Sequence, residues 1–148
     1  MALPTRLTLE IVTPDRALIR EEVDEVVVPG TDGELGVLPG HTPLVSSLKI
    51  GELWYRQGQE RHYVAVAFGF VEVLPDRVTV LADVGERAQE IDVQRAERAK
   101  QRAEELLAQA QAPTPRLTAV DFDIERARIA LLKSLIRLQV ASRARTRA

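Results

Sequence analysis

The sequence predicts a β-then-α chain, with an antiparallel sandwich or barrel of short strands over residues 1–86 and a two-helix antiparallel hairpin over residues 87–148. Three observations predict it. Through the first half, apolar and polar residues alternate in short segments separated by Gly, Pro and Asp turn signals. Beyond Ala88 the apolar spacing changes to three and four residues, the period of a helix face. Charge divides at the same place: residues 1–86 hold 14 acids and 7 bases, net −7, and residues 87–148 hold 8 acids and 13 bases, net +5.

Each element follows from a local pattern. Leu7, Leu9 and Ile11 alternate with Thr8 and Glu10 up to a Thr13-Pro14-Asp15 turn. Val23 and then Val26, Val27 and Val28 run to Pro29-Gly30, and Asp32-Gly33 turns the chain before Leu35 and Val37. Further strand-like segments cover 44–48, 52–56, 61–67, 68–74 and 77–81, with turns at Ile50-Gly51, Gln57-Gly58 and Pro75-Asp76. The first helix starts at an Asp92 N-cap, with Ile91 and Ala96 placed as a hydrophobic staple, and runs to about Gln111. Pro113 and Pro115 break it, and a second helix starts near Asp121 or Asp123 and continues past Val140. That helix carries two apolar stripes, one through Ile124, Ala127, Leu131, Leu135 and Leu138 and another through Ile129, Leu132, Ile136 and Val140. One alanine-rich partner helix cannot cover both, so the hairpin is expected to dock weakly or on more than one surface.

Composition removes several function classes. None of the 148 residues is cysteine, which excludes a disulfide framework, a zinc ribbon and a thiol nucleophile. No apolar run approaches the ~20 residues of a membrane span, and Met1-Ala2-Leu3-Pro4 lacks the features of a secretory signal, so a cytosolic-side protein is expected. His41 and His62 are the only histidines, no serine sits in a nucleophile-elbow context, and no Gly-rich loop ends in Lys-Ser/Thr, so no enzyme is expected. Nucleic-acid binding fits poorly with an acidic first half and 4% aromatic residues. No acid follows Glu125, whereas Arg126, Arg128, Lys133, Arg137, Arg143, Arg145 and Arg147 do, so this segment calls for an anionic partner or a solvated helix end.

Four local patterns, Val12-Thr13-Pro14-Asp15, the block Gly33-Glu34-Leu35-Gly36-Val37-Leu38-Pro39-Gly40-His41-Thr42-Pro43-Leu44, Gly69-Phe70-Val71-Glu72-Val73 and Val78-Thr79-Val80-Leu81-Ala82, occur in this order. With them the chain resembles the epsilon subunits of F-type ATP synthases over essentially its whole length. The resemblance implies a sandwich of about ten strands followed by two helices, in a non-catalytic rotor subunit that joins the gamma shaft to the membrane-embedded c-ring. By position it implies a c-ring contact at Thr31, Asp32, Gly33, Glu34 and Leu35, and a gamma contact at His41, Thr42, Pro43 and Ser46. It implies a peripheral location on the cytoplasmic face of the bacterial plasma membrane, without a required cofactor. It further implies that the hairpin can rise along gamma and inhibit ATP hydrolysis, through contacts of Arg126, Arg128, Lys133, Arg137, Arg143 and Arg145 with beta subunits of the alpha3beta3 hexamer.

The segment Ile91-Asp92-Val93-Gln94-Arg95-Ala96 is similar to the ATP-binding signature of some bacterial epsilon subunits. Carried over, it implies a regulatory ATP held by Glu86, Ile91, Asp92, Arg95, Ala96 and Arg102 together with Lys133 and Arg137 of the second helix. Lys133 departs from the pattern, because a lysine point charge stands where a planar arginine fork is usual. The residues by themselves also allow a simpler account, in which Asp92 only caps a helix and the arginines form its solvated face.

Overall fold

A computed structural model describes residues 2–110 and 119–145. Eight strands come first: β1 (Leu7–Val12), β2 (Ala17–Val23), β3 (Glu25–Gly30), β4 (Gly33–Val37), β5 (Leu44–Ser47), β6 (Gly51–Gln57), β7 (Glu60–Leu74) and β8 (Arg77–Arg87). A single 3-10 turn (Ala88–Glu90) then leads to α1 (Val93–Ala110) and α2 (Ala119–Arg145). The strands form one sheet in the order β2-β1-β8-β7-β6-β3-β4, with β5 added to β7, and fold over as a sandwich around Leu7, Leu9, Ile11, Val26, Val28 and Leu53.

The expected β-sandwich and helical hairpin are both present, with eight strands among the described residues rather than about ten. One reason for the lower count is that 61–67 and 68–74, read from the sequence as separate segments, belong to the single long strand β7. Within it Val64 and Val66 face the core, and then Val71 and Val73 do, so the alternation changes parity midway. The change occurs at Phe68 and Gly69, whose φ values are +59° and +114°. A side chain at Gly69 would put its Cβ 1.9 Å from the Leu81 carbonyl oxygen, so only glycine fits. One pairing departs from the antiparallel expectation: β1 runs parallel to β8, with Leu9 opposite Val78 and Ile11 opposite Val80. Parallel neighbours need a long connection, and here the whole of β2 to β7 supplies it.

The start of α1 agrees with its sequence signals. Asp92 Oδ1 accepts a hydrogen bond from the Arg95 amide at 3.1 Å, and Ile91 and Ala96 are both buried. Pro113 and Pro115 lie outside the described residues, as do Gln111 and Arg147. The second helix begins at Ala119, so Asp121 and Asp123 fall in its first turns rather than at its cap.

Neither apolar stripe of α2 is fully covered, and Leu132 and Leu135 stay exposed. The hairpin instead closes through small side chains seven residues apart, Ala96 and Ala103 on α1 and Ala127 and Ser134 on α2. Small residues let the two backbones approach, and the Ser134 hydroxyl is satisfied by donating to the Ala130 carbonyl at 2.7 Å. The hairpin rests on the sandwich through a second, smaller cluster, Ala65 and Ala88 with Ile91, Val140 and Ala141, which is separate from the sandwich core.

Candidate regulatory cavity and contact surfaces

Where β8, the 3-10 turn, α1 and α2 meet, a cavity of about 450 Å³ is lined by Glu86, Glu90, Asp92, Arg95, Arg102 and Arg137, with Ala96 and Ala99 as its small-residue wall. Residues 92, 95, 96, 99 and 102 share one side of α1 by their three- and four-residue spacing, so the cap that starts the helix also aims this face. Arg137 reaches in from α2 and donates from Nε and Nη2 to Glu86 Oε1 at 2.8 and 2.7 Å. Glu90 is held from outside the cavity by Arg16 at 2.6 Å, and that hydrogen bond is the main cause holding its carboxyl below the usual range. Arg95 and Arg102 make no ion pair among the described residues, leaving two guanidinium forks free to meet an anion.

Six of the eight residues named from sequence for ATP, Glu86, Asp92, Arg95, Ala96, Arg102 and Arg137, line this one cavity. The other two do not. Ile91 is buried in the small cluster beneath the hairpin, where it anchors the entry to α1. Lys133 lines an adjoining pocket with Ile136, Ala65 and Ala67, and its Nζ lies 5.9 Å from the centre of the Phe68 ring. Glu90 and Ala99 were not singled out from sequence. Ala99 carried a legible signal, standing three residues after Ala96, whereas Glu90 depends on a turn whose path only the fold defines.

The remaining sequence-named residues occupy other surfaces. Thr31, Asp32, Gly33 and Glu34 are exposed at the β3–β4 turn, braced by hydrogen bonds of Thr31 to Ser47 at 3.0 Å through both backbone and hydroxyl, while Leu35 packs against the sandwich core. His41 donates from Nδ1 to the Thr42 carbonyl at 2.7 Å, which fixes its tautomer; Thr42 and Pro43 are exposed and Ser46 is half-buried. Beside this segment lies an apolar row that sequence reading did not isolate. Phe70 pairs with both Ser47 and Leu81 across the strands, and Val45, Phe70 and Leu81 are 66%, 59% and 53% exposed. On α2, Arg126, Arg128 and Arg145 are exposed, and Arg128 pairs with Glu125 at 3.2 Å. Arg143 grips Glu52 of β6 and lies 5.1 Å from the centre of the Tyr63 ring.

The sequence matches two family models end to end, the ATP synthase delta/epsilon chain β-sandwich domain over residues 6–88 and the delta/epsilon chain long α-helix domain over residues 89–142. The chain belongs to the ATP synthase delta/epsilon family. Its likeness to epsilon chains is close: it is 49% identical to the ATP synthase epsilon chain of Desulforamulus reducens over 133 residues, covering 90% of this chain and 95% of that one. The epsilon chain of Syntrophobacter fumaroxidans is 48% identical over 138 residues, covering 93% and 97%. Among solved structures, a chain in the Euglena gracilis mitochondrial ATP synthase OSCP/F1/c-ring assembly superposes with a TM-score of 0.75 at 23% identity, covering 99% of this chain and 84% of that one. A chain of the Tetrahymena thermophila central stalk and c-ring gives a TM-score of 0.56 at 12% identity, covering 97% and 98%. At these identities the two structures establish a shared fold. Among the described residues, no helix is long and apolar enough to cross a membrane.

Proposed function

We propose that this epsilon chain is a non-catalytic rotor component, in which residues 1–86 join a gamma shaft to a c-ring and residues 87–148 form a regulatory hairpin that responds to ATP. The observation that carries the regulatory part is the 450 Å³ cavity between the two units, with two uncommitted arginines on one wall and a third in reach. Guanidinium forks suit phosphate oxygens, and Ala96 and Ala99 leave room for a base or ribose. Because both units line the cavity, a nucleotide there favours the docked hairpin by mass action.

The docking interface supports reversibility. It consists of a small apolar cluster separate from the sandwich core, plus ion pairs from Arg137 and Arg143, so the sandwich keeps its own core when the hairpin leaves. Once released, the hairpin would present Arg126, Arg128, Lys133, Arg137, Arg143 and Arg145 to acidic beta-subunit segments and oppose hydrolysis. For the rotor contacts, the exposed Val45, Phe70 and Leu81 row continues the surface of His41, Thr42, Pro43 and Ser46 and suits an apolar gamma face. The exposed turn at Thr31, Asp32, Gly33 and Glu34, anchored by Leu35 against the core, suits the polar loops of a c-ring. This reading takes the chain as peripheral at the cytoplasmic face of the membrane, without a nucleic-acid partner, and takes ATP as regulator rather than required cofactor.

Isothermal titration of the isolated chain with ATP tests the nucleotide reading. Arg95→Ala and Arg102→Ala are each expected to weaken binding tenfold or more, since each removes a charge-assisted contact of about 1.5–3 kcal/mol. Equal affinity in wild type and both variants would overturn it. In the assembled complex, removal of residues 90–148 is expected to keep gamma bound and to raise ATP hydrolysis, and unchanged hydrolysis would remove the inhibitory role.

A further inference from the structure

A second cavity, of about 160 Å³, lies where the last turns of α2 cover β7 and the end of β8. Its wall carries three arginines and a histidine, Arg61, Arg87, Arg143 and His62, beside the amide of Gln89, and none of its lining residues is a carboxylate. We propose that this seam is a binding site for a small tetrahedral oxyanion, inorganic phosphate or its isostere sulfate, distinct from the nucleotide cavity and complete only when the hairpin is docked.

Four observations support the site. His62 Nε2 and Arg87 Nε are both closed off from solvent, and neither has a hydrogen-bond partner among the described residues. A buried polar nitrogen without a partner is costly, and an oxyanion held in this seam would offer acceptors to both side chains. The other groups hold these donors in place: Arg87 is anchored by donating from Nη2 to the Leu18 carbonyl at 2.6 Å, the His62 ring stacks on Tyr55 at 5.0 Å, and Arg61 lies 4.2 Å over the Trp54 ring. Two nearby acids are committed elsewhere, Glu52 on Arg143 and Glu21 beside Tyr55, and the exposed Glu60, 3.7 Å from His62 Nε2, is the one carboxylate an oxyanion would have to displace. Burial pushes the Tyr55 phenol up to about 12, so the cavity wall stays free of a phenolate charge at neutral pH.

The size suits an ion of a few heavy atoms rather than a nucleotide, which the larger cavity could hold. Arg143 and Ala144 come from α2, whereas Arg61, His62 and Arg87 come from the sandwich. Anion binding is therefore linked to docking, and phosphate, a product of ATP hydrolysis, would draw the hairpin down.

The test is an amide NMR titration of the full chain with sodium phosphate at constant ionic strength, with sodium sulfate and sodium chloride as parallel arms. Saturable shifts are expected at residues 61–64, 87–89 and 143–144 with phosphate and with sulfate, and not with chloride. Phosphate without sulfate would also support the site and assign it to the anion that can itself donate a proton. His62→Phe keeps the stacking on Tyr55 and removes the nitrogen; Arg87→Met keeps the stem and removes the fork. Each is expected to weaken phosphate at least tenfold, while Arg102→Ala, in the other cavity, leaves it unchanged. Shifts that chloride reproduces, or binding that survives His62→Phe and Arg87→Met but is lost in Arg102→Ala, would overturn the proposal. The Arg102→Ala arm separates this failure from failure of the nucleotide reading, which ATP titration reports independently.

Discussion

Replacing Arg143 by alanine removes two contacts that hold the end of α2 to the sandwich. Its Nε and Nη2 each lie 3.3 Å from a Glu52 oxygen, and the guanidinium sits 5.1 Å from the centre of the Tyr63 ring. Arg143 is 46% exposed, so solvent screening keeps the ion pair near the top of the surface range, about 1 kcal/mol. The cation–π contact adds about 0.5–1 kcal/mol in a half-exposed setting. Glu52, with a side chain only 13% exposed, is left without its cation, which adds to the loss. A total of about 1.5–2 kcal/mol corresponds to an opening constant about 10–30 times larger. Because the chain contains no cysteine, Ala65→Cys provides a single thiol beneath the hairpin, in the small cluster that undocking exposes. Its modification rate measures the open population, and Arg143→Ala is expected to accelerate it by about 10–30-fold. Glu52→Gln, which keeps the ring contact, is expected to give about fivefold, the equivalent of ~1 kcal/mol. A change of less than twofold in Arg143→Ala would show that the Glu52 contact does not hold the hairpin, and that the small apolar cluster and the Arg137–Glu86 pair do.

Two further predictions concern the start of the hairpin. Asp92→Ala removes the acceptor for the Arg95 amide and is expected to cost about 1 kcal/mol in urea denaturation, whereas Asp92→Asn, which retains the cap, costs little. If the asparagine variant is stable yet differs from wild type in ATP affinity, the carboxylate acts on the ligand and not only on the helix. Glu90 has its carboxyl depressed, first by the hydrogen bond from Arg16, so its stabilising contribution is fully present above its ordinary value of 4.5 and is lost as pH falls through the depressed value. Melting wild type and Arg16→Ala side by side is expected to show a wild-type advantage at neutral pH that shrinks in acid; an advantage independent of pH would exclude this pair as its source.

Much of the fold was legible because it rests on local rules. The alternation of Leu7, Leu9 and Ile11 follows from the two-residue period of a strand, and the Asp92 cap with its Ile91 and Ala96 staple follows from the unpaired amides at a helix start. The two-residue period also misled, because it has no term for the left-handed pair at Phe68 and Gly69 that joins two segments into β7 and reverses which side chains face inward. The α1 contribution to the cavity was legible for the same reason as the helix itself. Its opposite wall was less so, because 100° per residue fixes the spread of side chains around α2 but not which of them the sandwich meets. Val140 and Ala141 set that rotation by burying against Ala65 and Ala88.

By itself, therefore, the sequence determined a strand-rich acidic unit, a capped cationic hairpin and the set of arginines available to an anion, since periodicity, capping and charge are properties of neighbouring residues. Only the tertiary structure decided that Arg137 meets Glu86, that Lys133 turns toward Phe68, that Arg143 reaches Glu52 and that Arg61, His62 and Arg87 share one seam. Those meetings join residues far apart in sequence, and the geometry that selects them comes from the pairing of β7 with β8 and from the packing of the hairpin on the sandwich.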